Sequence, residues 1–198
     1  MTGFRLYPAY LDRAAQTELV ETVLNAARGA PLYRPVTPGG KAMSVRMTNF
    51  GALGWATGVR GYRYDARHPV TGEPWPPIPA RLLTLWAELA DAATPPDACL
   101  VNVYDADARM GLHQDRDEAD FSLPVLSVSL GDTALFRLGG PDRRGATRSL
   151  RLASGDVCLL AGEDRLSFHG VDRIVPGSST LVPGGGRINL TLRRARAR

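Results

Sequence analysis

The chain has 198 residues and is poor in lysine, cysteine and histidine. Lys41 is its lone lysine, so the rest of its 24 Lys and Arg residues are arginine. Two cysteines, Cys99 and Cys158, stand far apart in apolar runs with no CxxC pair. That spacing excludes a structural zinc site and a disulfide-stapled scaffold, and it reads as two buried thiols in a reducing cytoplasm. No run approaches the roughly 18 apolar residues of a membrane helix, so no membrane partner is expected. The N-terminus, MTGFRLYPAYLDR, carries charge early and lacks an apolar core, so no signal peptide is expected. A hydrophobic content of 44% with 22% charged residues excludes a disordered tail or a coiled coil. The net charge of +4 permits nucleic acid as a partner without demanding it. An Arg-rich codon bias accounts for the lysine deficit equally well.

What is abundant is turn chemistry: 21 Gly and 15 Pro suit a β-rich fold of one domain. Asp12 reads as the N-cap of a helix over 13–28, with Leu19, Val23 and Leu24 on one stripe. Short strands are expected around MSVRMT (43–48) and GYRY (61–64), separated by NFGALGW. Pro79 opens a second helix over 79–92, with Leu82, Leu85, Trp86 and Leu89 facing the core. The period then changes to two. Strands are expected at 98–104, 124–130, 133–138, 148–152, 156–161 and 187–193. Helices first and short strands after predict a mostly β (α+β) sandwich, barrel or jelly roll, with the helices covering one sheet from outside.

Of the three histidines, His113 begins the tripeptide His113-Gln114-Asp115. In an extended segment residues i and i+2 share a side, so an imidazole and a carboxylate can grip one metal. His169, on a later strand, would complete a facial triad with three open positions, the arrangement of non-haem Fe(II) oxygenases. The run RINLTLR places Arg187, Asn189, Thr191 and Arg193 on one face, and Ile188, Leu190 and Leu192 on the other. If the apolar face lies under the helices, the two arginines look into the barrel. They are costly there unless anions meet them. A dicarboxylate chelating the metal would do so, and Arg193 can also pair with Asp115. In DACLVNVY, Asn102 and Tyr104 lie on the same interior face and can hydrogen-bond a bound acid.

The segments TPGGKAMSVRMTNFGALGW, PDACLVNVY, HQDRDE, SVSLG, FHG and RINLTLR together resemble the bacterial AlkB family, from about residue 31 to 194. These are Fe(II)/2-oxoglutarate dioxygenases that reverse N-alkylation damage in DNA and RNA. The resemblance implies a double-stranded β-helix (jelly roll) with N-terminal supporting helices. Residues 1–92 would carry the helices and a substrate lid near 37–75, and residues 93–198 the catalytic core of one compact unit. It implies Fe(II) on His113, Asp115 and His169. It implies 2-oxoglutarate held by Arg187 and Arg193, with Asn102, Tyr104 and Asn189 as hydrogen-bond partners. Trp55 would stack on a flipped base opposite His113, Tyr62 and Arg143 would hold the substrate strand, and Asp117 and Glu118 would face the exocyclic group of the base. The implied reaction consumes molecular oxygen and releases formaldehyde, succinate and CO2. The implied substrates are alkylated DNA or RNA of the 1-methyladenine and 3-methylcytosine type, whose cationic bases pair poorly and flip at lower cost. Two positions depart from the family pattern: Lys41 follows TPGG where an aromatic is expected, and Leu160 stands where a large aromatic is expected beside the iron.

The alternative readings are an oxygenase for a protein side chain or small molecule, a nucleic-acid-binding module without catalysis, and a metal-binding cupin. Trp55, Tyr62 and the basic lid residues Arg46, Arg60, Arg63 and Arg67 argue against the first. The triad argues against the second and the Arg187/Arg193 face against the third. A monomeric cytoplasmic enzyme is expected, with Arg194, Arg196 and Arg198 forming a solvated tail.

Overall fold

The computed structural model describes residues 3–58 and 61–196; Arg60 and Arg198 lie outside them. Before the second helix come β1 (Arg5–Tyr7), α1 (Arg13–Ala26), β2 (Arg46–Gly51), β3 (Gly54–Gly58) and β4 (Gly61–Asp65). Then follow α2 (Ala80–Leu89), β5 (Ala98–Tyr104), β6 (Met110–His113), β7 (Val125–Gly131) and β8 (Thr133–Leu138). The chain closes with β9 (Arg148–Leu152), β10 (Val157–Leu160), β11 (His169–Val175) and β12 (Arg187–Arg193).

Two antiparallel sheets form the body, in the orders β1-β10-β7-β12-β5-β2 and β6-β11-β8-β9, and β3 pairs with β4 in a separate hairpin. The alternation read from the sequence sorts the side chains between two cores. Ile188, Leu190 and Leu192 of β12 join Val101, Val128 and Leu159 in a core with Leu19 and Val23 of α1 and Leu82, Leu85 and Trp86 of α2. Both helices therefore cover the outside of the large sheet. The opposite faces of the strands build a second core around Leu100, Tyr104, Phe136, Leu138 and Val171, between the sheets. The N-terminal portion is woven into the same body, because β1 pairs with β10 and β2 with β5.

Local chemistry explains where the elements begin and where expectation fails. Asp12 caps α1 by accepting the Ala15 N–H at 2.8 Å. The helix stops at Ala26, and its buried stripe is Ala15, Gln16, Leu19, Val20 and Val23. Leu24, expected on that stripe, is 44% exposed. At about 100° per residue it falls roughly 110° from the centre of the buried face. Pro79 is the N-cap of α2 rather than its first residue, and the helix ends at Leu89. NFGALGW is not a spacer between strands: β2 runs on to Gly51 and β3 starts at Gly54. The Asn49 side chain locks this corner, accepting from Trp55 N at 3.0 Å and donating to Trp55 O at 3.2 Å. The sequence pattern also missed β1, β6 and β11. The first two are only three and four residues long, and β11 carries a register shift between Val171 and Arg173 that breaks its alternation.

Candidate active site

Two strand ends and the segment that follows one of them bring the predicted metal ligands together. His113 closes β6, His169 opens β11, and the two are partners across the ladder. Gly170 permits this approach, since a Cβ there would stand 2.6 Å from the Met110 carbonyl oxygen. Asp115 follows two residues after His113. One ligand atom from each of the three lies within 4.8 Å of the others. The Asp115 carboxylate oxygens stand 3.8 Å from His113 Nε2 and 3.7 Å from His169 Nε2.

The histidines are aimed by their other ring nitrogens. His113 Nδ1 faces the Gly111 carbonyl at 2.9 Å, and His169 Nδ1 faces the Ser167 carbonyl at 3.0 Å. A carbonyl only accepts, so each Nδ1 carries the proton and each Nε2 keeps its lone pair for a metal. Burial, and next the neighbouring His113, pull the His169 imidazole down to about 4, which leaves it neutral near pH 7. Burial pushes the Asp115 carboxyl up, but Arg193, then His169 and His113, outweigh it and hold it well below the usual carboxylate range. Asp115 Oδ2 is buried without a hydrogen-bond partner, as a metal-ligating oxygen would be once the metal is set aside. Two imidazole nitrogens and one carboxylate fit a divalent iron.

Next to this cluster is a cavity of about 470 Å³ between the sheets. The ladders carry the predicted acid-binding residues into its wall: Arg187 pairs with Tyr104 and Asn189 with Asn102 across β12 and β5. Arg187 is 1% exposed. It donates to Ser129 Oγ at 2.8 Å and the Leu152 carbonyl at 3.3 Å, and no carboxylate pairs with it among the described residues. Its Nε has no partner, and neither has Asn102 Oδ1. A buried guanidinium met only by neutral acceptors, with its Nε unpartnered, suits an anion, and the second charge of a dicarboxylate fits it. Burial drives the Tyr104 phenol up to about 12, so it remains a hydrogen-bond donor. Asn189 is more occupied than expected: its amide donates to Ser127 Oγ at 2.7 Å and the Val128 carbonyl at 3.0 Å. Leu160, one of the two departures, lines the same cavity.

Arg193 sits at the metal end, donating to Asp115 Oδ1 at 2.8 Å. Its Nε lies 3.4 Å from Glu118. Glu118 in turn accepts from Arg165 at 3.0 Å and from the Tyr64 hydroxyl. Arg165 also donates to the Asp115 carbonyl at 2.7 Å and the Leu123 carbonyl at 2.8 Å. The resemblance implies that Glu118 faces a base; the residue does line the cavity, and its carboxylate is engaged by these neighbouring side chains. It is 6% exposed, and two guanidinium groups meet its carboxylate. Arg165 and Tyr64, which complete the network, escaped the sequence reading because neither belongs to a spaced motif.

The β3–β4 hairpin forms the outer wall. Trp55 stacks on Tyr62 with ring centroids 5.4 Å apart. Its indole N–H donates to Asp117 at 2.8 Å. Trp55, Tyr62, Asp117 and Arg143 all line the cavity, and the Arg143 guanidinium lies 6.0 Å over the Phe168 ring. The expected basic lid is less free than its composition suggests. Arg46 and Arg34 share Asp105 at 2.7 and 3.0 Å, and Arg63 meets Asp65 at 3.3 Å. Nor is Arg194 a solvated tail, since it lies 3.6 Å from Asp97.

Residues 3–193 match the model of the 2OG-Fe(II) oxygenase superfamily. The chain is 66% identical over 194 residues to the alpha-ketoglutarate-dependent dioxygenase AlkB homolog of Caulobacter vibrioides, covering 98% of this chain and 88% of that one. It is 42% identical over 185 residues to the alpha-ketoglutarate-dependent dioxygenase AlkB of Escherichia coli, covering 91% and 85%. Among solved structures, OsALKBH1 superposes with a TM-score of 0.83 at 31% identity, covering 98% of both chains.

Proposed function

The chain belongs to the AlkB family of the 2OG-Fe(II) oxygenase superfamily and is an Fe(II)- and 2-oxoglutarate-dependent dioxygenase; from that premise we propose that it demethylates N-alkylated bases in nucleic acid. His113, Asp115 and His169 would hold the iron. Arg187 takes the distal carboxylate of 2-oxoglutarate, with Tyr104 and Asn102 beside it, and Arg193 steadies both Asp115 and the acid at the metal. When bound, the iron and its co-substrates supply the oxidising power that hydroxylates an N-methyl group, which leaves as formaldehyde while 2-oxoglutarate becomes succinate and CO2.

The chain's own residues do the rest by position. Trp55 offers a π face at the cavity mouth, which favours a flat and cationic base. Its indole N–H is tied to Asp117, so the ring is oriented before a base arrives. The Asp117 carboxylate, exposed at the mouth, faces the exocyclic amino group and adds negative charge next to a cationic lesion. Arg143 meets the flanking phosphate. The observation that carries this reading is the Trp55–Tyr62 stack joined to the metal-ligand loop through Asp117. A pocket for a flexible peptide side chain has no need of a rigid planar wall.

A substrate panel tests it. Oligonucleotides carrying 3-methylcytosine or 1-methyladenine, as DNA and as RNA, are compared with methylated peptides while succinate and formaldehyde are counted. Equimolar release on the oligonucleotides supports the reading. Stimulated succinate formation with the peptides alone would replace it by a protein oxygenase. A cytoplasmic enzyme is proposed on its two buried free thiols, Cys99 and Cys158; the described residues contain no helix long and apolar enough to cross a membrane. A monomer is proposed.

A further inference from the structure

Ion pairs are unevenly spread over the surface. Elsewhere on the molecule several arginines meet carboxylates, Arg81 with Glu18, Arg63 with Asp65, and Arg34 and Arg46 with Asp105, although Arg13 and Arg28 at α1 do not among the described residues. The outer face of the four-stranded sheet is different. Ala134, Phe136 and Leu138 of β8 point into the core, so Leu135 and Arg137 point outward. Across the ladders Arg173 of β11 and Arg151 of β9 both pair with Leu135, which sets the two arginines on either side of it. Arg151 and Arg173 are exposed, and neither is in an ion pair among the described residues. Arg137 donates only to the uncharged Thr147 hydroxyl, at 2.7 and 3.2 Å. The acid within this stretch is Asp172, and it too is unpaired.

Arg151 and Arg173 are two strands apart, so their backbones stand about 10 Å from each other. Three cations outnumber the one carboxylate among them, Asp172, which shares a small surface pocket with Arg137, so the face keeps a net positive charge that an anion from outside would offset. The face is also continuous with the cavity rim. Leu138 is the ladder partner of His169, and the loop after it carries Arg143 to the mouth. Receding from the level of His169, the chain reaches Arg137 after one residue and the Arg151/Arg173 row about 10 Å away. That is the distance of two to three phosphates along a strand.

We infer that the outer face of β8, β9 and β11 is a second contact for the nucleic-acid backbone, used by phosphates beyond the flipped nucleotide and separate from catalysis. This rests on the nucleic-acid reading above and extends it from the lesion to the length of the substrate. Arg151, Arg173 and Arg137 act as point charges on phosphate, so the contact reads no sequence.

The test uses the full chain with Fe(II) and 2-oxoglutarate. Arg151→Ala/Arg173→Ala removes two cations that support no contact in the fold, and Arg151→Glu/Arg173→Glu reverses them. The substrates are a 3-methylcytosine pentanucleotide and a strand of about 25 nucleotides with the same lesion, single-stranded and annealed. The double alanine variant should leave the pentanucleotide KM unchanged and raise the long-substrate KM about tenfold at low salt. The slope of log affinity against log salt should fall by about 1.4 on single strands and 1.8 on duplex. The glutamate variant should do more in the same direction. A loss confined to the duplex would assign the face to the complementary strand, and a loss on both forms to the flanking strand; either supports the contact. Unchanged long-substrate KM and salt slope in both variants would overturn it. If the wild type demethylates neither substrate, the nucleic-acid reading itself fails, and this inference falls with it.

Discussion

Arg187→Met separates ligand binding from stability, because the structure gives the guanidinium no anion of its own. Arg187 is 1% exposed and is held by two hydrogen bonds to neutral acceptors. Methionine fills similar volume without charge. It forfeits two charge-assisted bonds of about 1.5–3 kcal/mol each, and it relieves a desolvation cost of several kcal/mol for an unpaired buried ion. The two terms nearly cancel, so the ligand-free variant should unfold within about 4 °C of wild type. Ligand-induced stabilisation behaves differently. Wild type with anaerobic Fe(II) and 2-oxoglutarate at about 100 times Kd gains about 2.7 kcal/mol, or roughly 5–10 °C for a domain of this size. Removing one partner of a buried charge pair costs about 2–5 kcal/mol, which raises Kd at least about thirtyfold. At the same concentration the gain then falls below about 1 kcal/mol, under about 3 °C. Differential scanning calorimetry with and without 2-oxoglutarate reads both numbers. A variant that unfolds far below wild type when ligand-free, yet keeps the full 2-oxoglutarate shift, would refute Arg187 as the carboxylate anchor.

Other residues make equally direct predictions. Glu118→Gln leaves Arg165 and Arg193 sharing one carboxylate fewer in a buried cluster, so urea denaturation should show a loss of about 3–5 kcal/mol. Tyr64→Phe, which removes only a hydroxyl from that cluster, should lose about 1 kcal/mol. Trp55→Ala should raise the KM for a methylated oligonucleotide tenfold or more while the 2-oxoglutarate KM holds, since the indole lies on the base side of the cavity; base stacking of about 1–3 kcal/mol sets that size. Asp12→Ala should cost about 1 kcal/mol of stability with turnover unchanged, because its carboxylate only caps α1.

The metal ligands and the β12 face were legible in the sequence for a simple reason. Arg187, Asn189, Thr191 and Arg193 alternate without interruption, so period-two geometry puts them on one face of β12, and the short His113–Asp115 spacing keeps both within reach of His169, although β6 ends at His113. The helices were legible from their stripes, and only Leu24 was misassigned, by one step around the helix. What stayed hidden depends on contacts between distant segments. Glu118 reads as a partner of Asp117 turned to the base, and its contacts with Arg165 and Tyr64, each about fifty residues away in sequence, show only in the fold. The same applies to Arg46, whose partner Asp105 is remote in sequence, whereas β11 was hidden locally, by a bulge that erases its alternation. Local pattern reports which face a side chain takes; it does not report the partner waiting there.

The central claim is that His113, Asp115 and His169 drive removal of a methyl group from a nucleic-acid base. The protein is loaded anaerobically with Fe(II) and 2-oxoglutarate, mixed with a short 3-methylcytosine DNA strand, and exposed to oxygen; the oligonucleotide is then weighed by mass spectrometry beside a His113→Ala control. The account predicts a product lighter by one CH2 unit, dependent on 2-oxoglutarate and absent from the control. Correctly metallated protein that leaves the strand's mass unchanged, and does the same with methylated RNA, would contradict it.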